Sequence, residues 1–255
     1  MLDEFDRYSR HALLKVIGST GNEKIRRARV LVAGIGALGS LISILLARAG
    51  VGFLRLVDKD APEMSNLHRQ ILYNERDVLV GAPKAEAARA NLLTMASNLE
   101  IDAVNIEIDH DNIDLLLDGV DVVVDALDNS ETRFIVNDAI LDRKIPYIFG
   151  GAVETMGNVM TIVPGKTPCL RCLWPDPSHV LGHARASTVG VLSSVASLVA
   201  SIQVTETFKV LVGDLESIIH GIMVVDIWKN QFHVVPIIPT PGCLCAKIAS
   251  QPSGE

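Results

Sequence analysis

The sequence predicts an α/β fold: a Rossmann-like, mostly parallel sheet flanked by helices, continuing into a mixed, antiparallel β-rich half. Three observations predict it. Short apolar runs rich in Val, Ile and Leu alternate with helical stretches as far as about residue 150, the rhythm of βαβ units. The run "VDVVVDAL" is apolar almost without a break, as a strand covered on both faces should be. The run "GIGALG" follows a strand and opens a helix, the setting in which a glycine turn meets a nucleotide. With 255 residues, 49% hydrophobic but only 4% aromatic, the chain can bury a large aliphatic core.

Taken in order, residues 3–15 read as a short helix with Leu13 and Leu14 apolar and Arg7 and Arg10 one turn apart. "RVLVAGIGALGSLISILLARAGV" is strand, glycine turn and helix, and "FLRLVDKD" is the second strand. "PKAEAARANLLTMAS" is helical, with Pro83 at its start, where a missing N–H costs nothing. "IDAVNIEI" is a strand, "HDNIDLLLDG" a short helix stopped by Gly119, and "VDVVVDAL" the next strand. "SETRFIVNDAILDRK" is a helix and "IPYIFGGAV" a strand. After Gly151 the pattern changes: "GNVMTIVPG" and "IIHGIMVVDIWKNQFHVVPIIP" read as antiparallel strands, separated by a long helix from about 189 to 212. No repeat or Pro/Gly/Ser-rich break divides the chain. The expectation is one continuous unit: an N-terminal arm (1–20), a nucleotide-binding part (28–152) and a β-rich part (153–250).

Several function classes drop out. A net charge of −7 lacks the basic footprint of nucleic-acid binding. The start "MLDEFDRYSRHALL" has early acids and no basic-then-apolar order, so it does not read as a signal peptide. Residues 186–205 carry no charge and are long enough to span a bilayer, but Ser187, Ser193, Ser194, Ser197, Ser201 and Gln203 favour a buried helix. The expected location is the cytoplasm, with no membrane or nucleic-acid partner. On the long helix, Ser193, Ser197 and Ser201 recur every four residues beside Ala196 and Ala200, a small-residue surface suited to close packing in the core or between two subunits.

Gly34, Gly36 and Gly39, with Ala37 between, have the G-x-G-x-x-G spacing, and Asp58 ends the second strand about twenty residues on. That pair meets the phosphates and ribose of a nucleotide without saying which. A nicotinamide enzyme would not need the donors that follow: Asn66, Arg69, Gln70 and Lys84. Cations gathered there suit ATP losing pyrophosphate, because they stabilise charge growing on the departing oxygens. There is no Walker A loop, so ordinary γ-phosphoryl transfer is excluded. "DALDN" brings Asp128 and Asn129 to the end of a central strand, where Asp128 can hold Mg²⁺ against phosphates or cap the next helix. The cysteines form two tight pairs, Cys169/Cys172 and Cys243/Cys245, a spacing that favours metal over disulfides, with a redox dithiol as the alternative.

The ordered set "RYSRH", "GIGALG", "VDKD…SNLHRQ", "PK", "DALDN" and "CLRC…CLC" resembles the ThiF/MoeB/HesA family, small relatives of ubiquitin-activating enzymes, over essentially the whole chain. The resemblance implies an ATP-dependent adenylyltransferase acting on the C-terminal glycine of a ubiquitin-like sulfur-carrier protein. It implies ribose binding by Asp58, phosphate binding by Asn66, Arg69, Gln70 and Lys84, and Mg²⁺ held by Asp128. It further implies a homodimer in which Arg10 reaches the partner's site, and structural Zn²⁺ on the four cysteines. Two departures stand out. The second pair is Cys-x-Cys rather than Cys-x-x-Cys, and Ala186 occupies the loop where many relatives carry a further cysteine. Chemistry that stops at the acyl-adenylate is therefore expected, with a small carboxylic acid as the alternative acceptor and an NAD(P) oxidoreductase as the alternative of another class. His179, His183 and Arg185 share that loop as candidate acceptor contacts.

Overall fold

The structure, a computed structural model, describes residues 7–175 and 186–249. His179, His183, Arg185 and the chain from Ser250 onward lie outside the described residues, and so does the side chain of Ala186.

Eight strands form one sheet. They are β1 (Arg29–Ala33), β2 (Phe53–Val57), β3 (Glu100–Val104), β4 (Val122–Asp125), β5 (Tyr147–Val153), β6 (Met156–Ile162), β7 (Ile222–Asp226) and β8 (Gln231–Val235). Their order is β3-β2-β1-β4-β5-β6-β7-β8. The first five run parallel, and β5 to β8 pair antiparallel, as the change of rhythm after Gly151 predicts. The order reverses between β1 and β4, because β2 and β3 lie on one side of β1 and β4 onward on the other; this switch point is where open α/β sheets hold ligands.

Two apolar layers cover the two faces. One contains Ile42 and Leu46 of α3 (Ala37–Ala49), Ala88 and Leu92 of α5 (Lys84–Met95), and Val199 and Ala200 of α10 (Ser193–Val212). The other contains Phe134, Val136 and Ile140 of α7 (Ser130–Arg143), with Leu116 of α6 (Ile113–Leu116) and the buried Cys169 and Cys245. Helix α10 is long and apolar enough to cross a membrane by length and composition, with mean hydropathy 1.4. Its buried side includes Gln203, Glu206 and Thr207, and Glu206 accepts from Thr161 Oγ1 at 2.5 Å and the Ile219 N–H at 2.7 Å. Ala196 and Ala200 are its buried small row, whereas Ser197 and Ser201 lie further out and return their hydroxyls to the carbonyls four residues back.

Residues 3–6 of the expected helix lie outside the described residues, and from residue 7 onward the arm differs from its expected form. Helix α1 is a single turn (Ser9–Ala12), and a second helix, α2 (Gly18–Arg27), follows it. Only Gly21 and Ile25 of α2 are buried, too narrow a stripe to register as a period. A further helix, α4 (Glu75–Val80), opens with Asn74 and Asp77 in a capping box. The short helices α8 (Leu170–Leu173), α9 (Ala186–Val189) and α11 (Leu244–Ala249), with a 3-10 turn at Met64–Asn66, complete the described elements.

Candidate active site

The glycine turn after β1 is set by close backbone approach. Gly34 has φ +86°, and a Cβ there would stand 2.7 Å from the Ala126 carbonyl oxygen. A Cβ on Gly39 would lie 2.0 Å from the Gly34 oxygen. Gly36 is different: a Cβ would meet nothing nearer than Gln70 Nε2 at 3.8 Å, an ordinary contact, so the turn leaves space for a side chain there. That space lies at the N-terminus of the 13-residue α3, whose free N–H groups favour an anion.

Asp58, at the tip of β2, faces the same turn. Its Oδ2 accepts the Ile35 N–H at 2.7 Å and its Oδ1 the Asp60 N–H at 2.9 Å. Burial pushes its carboxyl up, while Lys84 and those two N–H groups pull the other way. Lys84 is 6% exposed at the start of α5, its Nζ 3.1 Å from Asp60 Oδ2 and 4.0 Å from Asp58 Oδ1. Tyr73, whose hydroxyl is raised by burial, donates to the Ile35 carbonyl at 2.8 Å and so ties the turn to the segment carrying Gln70. Gln70 is buried and its Oε1 has no hydrogen-bond partner. The amide stands beside the glycine turn, with its Nε2 3.8 Å from where a Cβ on Gly36 would be and its Oε1 uncommitted. Arg69 is held lower in the crossover segment, donating to Asn66 Oδ1 at 2.6 Å and the Ser65 carbonyl at 3.2 Å.

Across the switch point, Asp128 is exposed just past β4. The helix cap is its neighbour: Asn129 Oδ1 accepts the Thr132 N–H at 2.9 Å. Asp128 therefore remains available as the single carboxylate that Mg²⁺ needs beside phosphate oxygens, and the donor set fits the ion. The structure thus brings Gly34, Gly36, Ala37, Gly39, Asp58, Gln70 and Lys84 together. Arg10 stands apart. Tyr8, beside it, packs on Gly50 at the far end of α3, about 18 Å along a helix of that length from the glycine turn.

The four cysteines form a second centre. Their Sγ atoms all lie within 4.8 Å of one another, with Cys169–Cys243 and Cys172–Cys245 at 3.4 Å. Tetrahedral zinc with bonds near 2.3 Å spaces sulfurs by about 3.8 Å, so the set fits the ion despite the shorter Cys-x-Cys pair. The Thr240 N–H donates to Cys172 Sγ at 3.3 Å. Although burial opposes it, that bond and those of the neighbouring groups bring the Cys172 thiol down to about 7, whereas burial pushes Cys169 up to about 12.

With this geometry in view, the comparisons are decisive for the family. The ThiF family model matches residues 8–246. The chain belongs to the ThiF family. The ThiF-family chain is 40% identical to the sulfur carrier protein ThiS adenylyltransferase of Bacillus subtilis, over 88% of this chain and 66% of that protein. It is 34% identical to a sulfur carrier protein adenylyltransferase of Thermus thermophilus, over 94% of this chain and 90% of the relative. The chain thus spans just under two thirds of the first relative's length and nearly all of the second's. Among solved structures, E. coli MccB with MccA-N7isoASN superposes with TM-score 0.82 at 23% identity, over 95% of this chain and 75% of that one, a likeness of fold.

The sequence missed one group of polar residues near the site. Arg133 of α7 binds the Asp125 carboxylate and the Leu127 and Gly150 carbonyls, and Gln203 of α10 binds the Asp125 and Ile148 carbonyls. Arg133, three residues into a helix after "DN", carried a signal: a cation facing a strand that ends in Asp125. Gln203 carried none.

Proposed function

We propose that this protein is an ATP-dependent adenylyltransferase that activates the C-terminal carboxylate of a ubiquitin-like sulfur-carrier protein as acyl-AMP. The observation that carries the proposal is the glycine turn with room for a side chain at Gly36, beside buried Gln70 with its uncommitted oxygen and close to Asp58, which binds the Ile35 N–H and lies 4.0 Å from Lys84. The names of the B. subtilis and T. thermophilus relatives support the same acceptor.

An acceptor carboxylate oxygen attacks the α-phosphorus, the bond from that phosphorus to the bridging oxygen breaks, and pyrophosphate leaves. Asp58 receives the ribose. The glycine turn with Ala37, together with Asn66, Arg69, Gln70, Lys84 and Asn129, cradles the phosphates. Lys84 and Arg69 meet the negative charge that grows on the leaving group. Asp128 would hold Mg²⁺, which neutralises phosphate charge when bound. Arg10, too distant for its own crevice, would serve that of a second copy in a homodimer. Residues 153–250 form the acceptor-binding half, with structural Zn²⁺ on the cysteine cluster, and the enzyme works in the cytoplasm. Because all four cysteines of the chain gather in that cluster, no thiol is left for a thioester, and the reaction ends at the acyl-adenylate.

ATP–pyrophosphate exchange with candidate carriers ending in Gly-Gly tests this reading. Exchange should require the carrier, and Lys84→Ala should lower it by about 10²–10³-fold, the usual scale for one lost transition-state donor. Near-normal exchange in Lys84→Ala or Asp128→Ala would refute the assignment.

A further inference from the structure

We infer that Asp125, Arg133 and Gln203 form a positioning clamp that sets the Asp128 carboxylate relative to the glycine turn, and so fixes where Mg²⁺ meets the nucleotide. The inference deepens the adenylyltransferase reading and rests on it. Asp125 ends β4, is wholly buried, and commits both carboxylate oxygens: Oδ1 accepts the Leu127 N–H at 2.8 Å, Oδ2 the Arg133 Nε–H at 2.9 Å. The same guanidinium turns Nη2 to two carbonyls, Leu127 at 2.5 Å and Gly150 at 2.8 Å, and lies 5.0 Å from the Phe149 ring centre. From the other face of the sheet, Gln203 Nε2 donates to the Asp125 carbonyl at 2.6 Å and the Ile148 carbonyl at 3.0 Å.

The segment between these bonds, Ala126–Leu127, is pressed against the glycine turn, where the space for a Cβ on Gly34 is taken by the Ala126 oxygen. Asp128 comes next in the chain. Its place relative to the phosphate-binding turn is thus defined by backbone groups that Arg133 and Gln203 hold from opposite faces. Gln203 Oε1 is buried without a partner, so what the amide contributes here is its Nε2, which holds the two carbonyls. Residues that orient a metal ligand from behind commonly control metal affinity or activity by about 10–100-fold.

The test uses the full chain with Gln203→Met, which keeps side-chain length, and Arg133→Lys, which keeps charge but loses the fork. Mn²⁺ binding to protein saturated with a non-hydrolysable ATP analogue is followed by electron paramagnetic resonance. Analogue affinity in chelator, melting temperature and the Mg²⁺ needed for half-maximal exchange are measured alongside. Gln203→Met takes a donor from the buried Asp125 and Ile148 carbonyls, so it should melt somewhat lower than wild type, stay folded, and bind the analogue in chelator within about twofold. Its Mn²⁺ affinity should fall about tenfold, and its Mg²⁺ requirement rise in step. Arg133→Lys should move in the same direction and further; if it fails to fold, Gln203→Met decides alone. Mn²⁺ binding within about twofold of wild type in a folded variant overturns the clamp. So does an equal loss of analogue affinity in chelator. A wild-type protein that binds neither analogue nor Mn²⁺ overturns the adenylyltransferase reading itself, whereas a competent wild type with silent variants sinks only the clamp.

Discussion

The crevice at the tips of β1, β2 and β4 and the cysteine cluster are built in opposite ways. In the crevice Asp58 and Lys84 already have protein partners: Asp58 is held by two N–H groups and Lys84 by Asp60. In the cluster, four thiols from segments 74 residues apart converge, and the described neighbours add little beyond the Thr240 N–H. The crevice is shaped by the fold before any ligand enters. The cluster offers four thiols that the fold brings near and that an ion would join. Damage to one should therefore leave the other standing.

The sharpest contrast lies within the glycine turn. Gly39→Ala puts a methyl 2.0 Å from a backbone oxygen and should cost several kcal/mol, enough to leave little soluble folded protein. Gly36→Ala meets only ordinary contact, so it should fold, retain its metal and lose about tenfold in ATP affinity. Circular dichroism and nucleotide titration check both; equal behaviour of the two variants would break the claim that only Gly36 faces the ligand.

Stripping the metal with a chelator is the next largest effect. The loss of ion binding should destabilise the segment around Leu244–Ala249 by several kcal/mol, seen as faster hydrogen exchange there. ATP affinity should stay within about threefold of the intact protein. A parallel loss of ATP binding would mean that the two centres are not independent.

Acidity should act on the cluster through its thiols. Cys169 and Cys245 are both pushed well above neutrality by burial in the metal-free chain, so metal binding must expel at least their two protons. Affinity rises with pH and falls as pH drops, by about 100-fold per unit for two protons. A competition titration with a chelating dye between about pH 6 and 8, corrected for the dye's own protonation, reads that slope.

The smallest effect lies outside both centres. Asn74→Ala removes the oxygen that caps α4 and should cost about 1 kcal/mol in denaturant unfolding, with exchange activity unchanged.

Most of the parallel half was legible because its signals are local. The apolar strands, the glycine spacing and Asp58 each announce themselves within a few residues, and the family resemblance read from them is what the ThiF match establishes. The antiparallel half was legible as strands, although only the structure shows β6 to β8 extending the same sheet. Helix α2 escaped because Gly18 and Gly21 break its pattern and it buries so little. Helix α4 escaped although Asn74 and Asp77 have capping-box spacing, a signal that could have been read. Gln203 escaped for a different reason. Its partners are carbonyls 55 and 78 residues away, and the serine row on the same helix drew attention to the outer side. A side chain whose task is to hold distant backbone has no local signature.

One consequence of Lys84's resting arrangement remains. Because Asp60 already balances its charge, arrival of a triphosphate trades one anion for another instead of neutralising a bare cation. The electrostatic gain per contact shrinks accordingly, and binding should respond to added salt less steeply than the number of cations around the crevice would imply. Selectivity would then come from shape at the glycine turn more than from attraction at a distance.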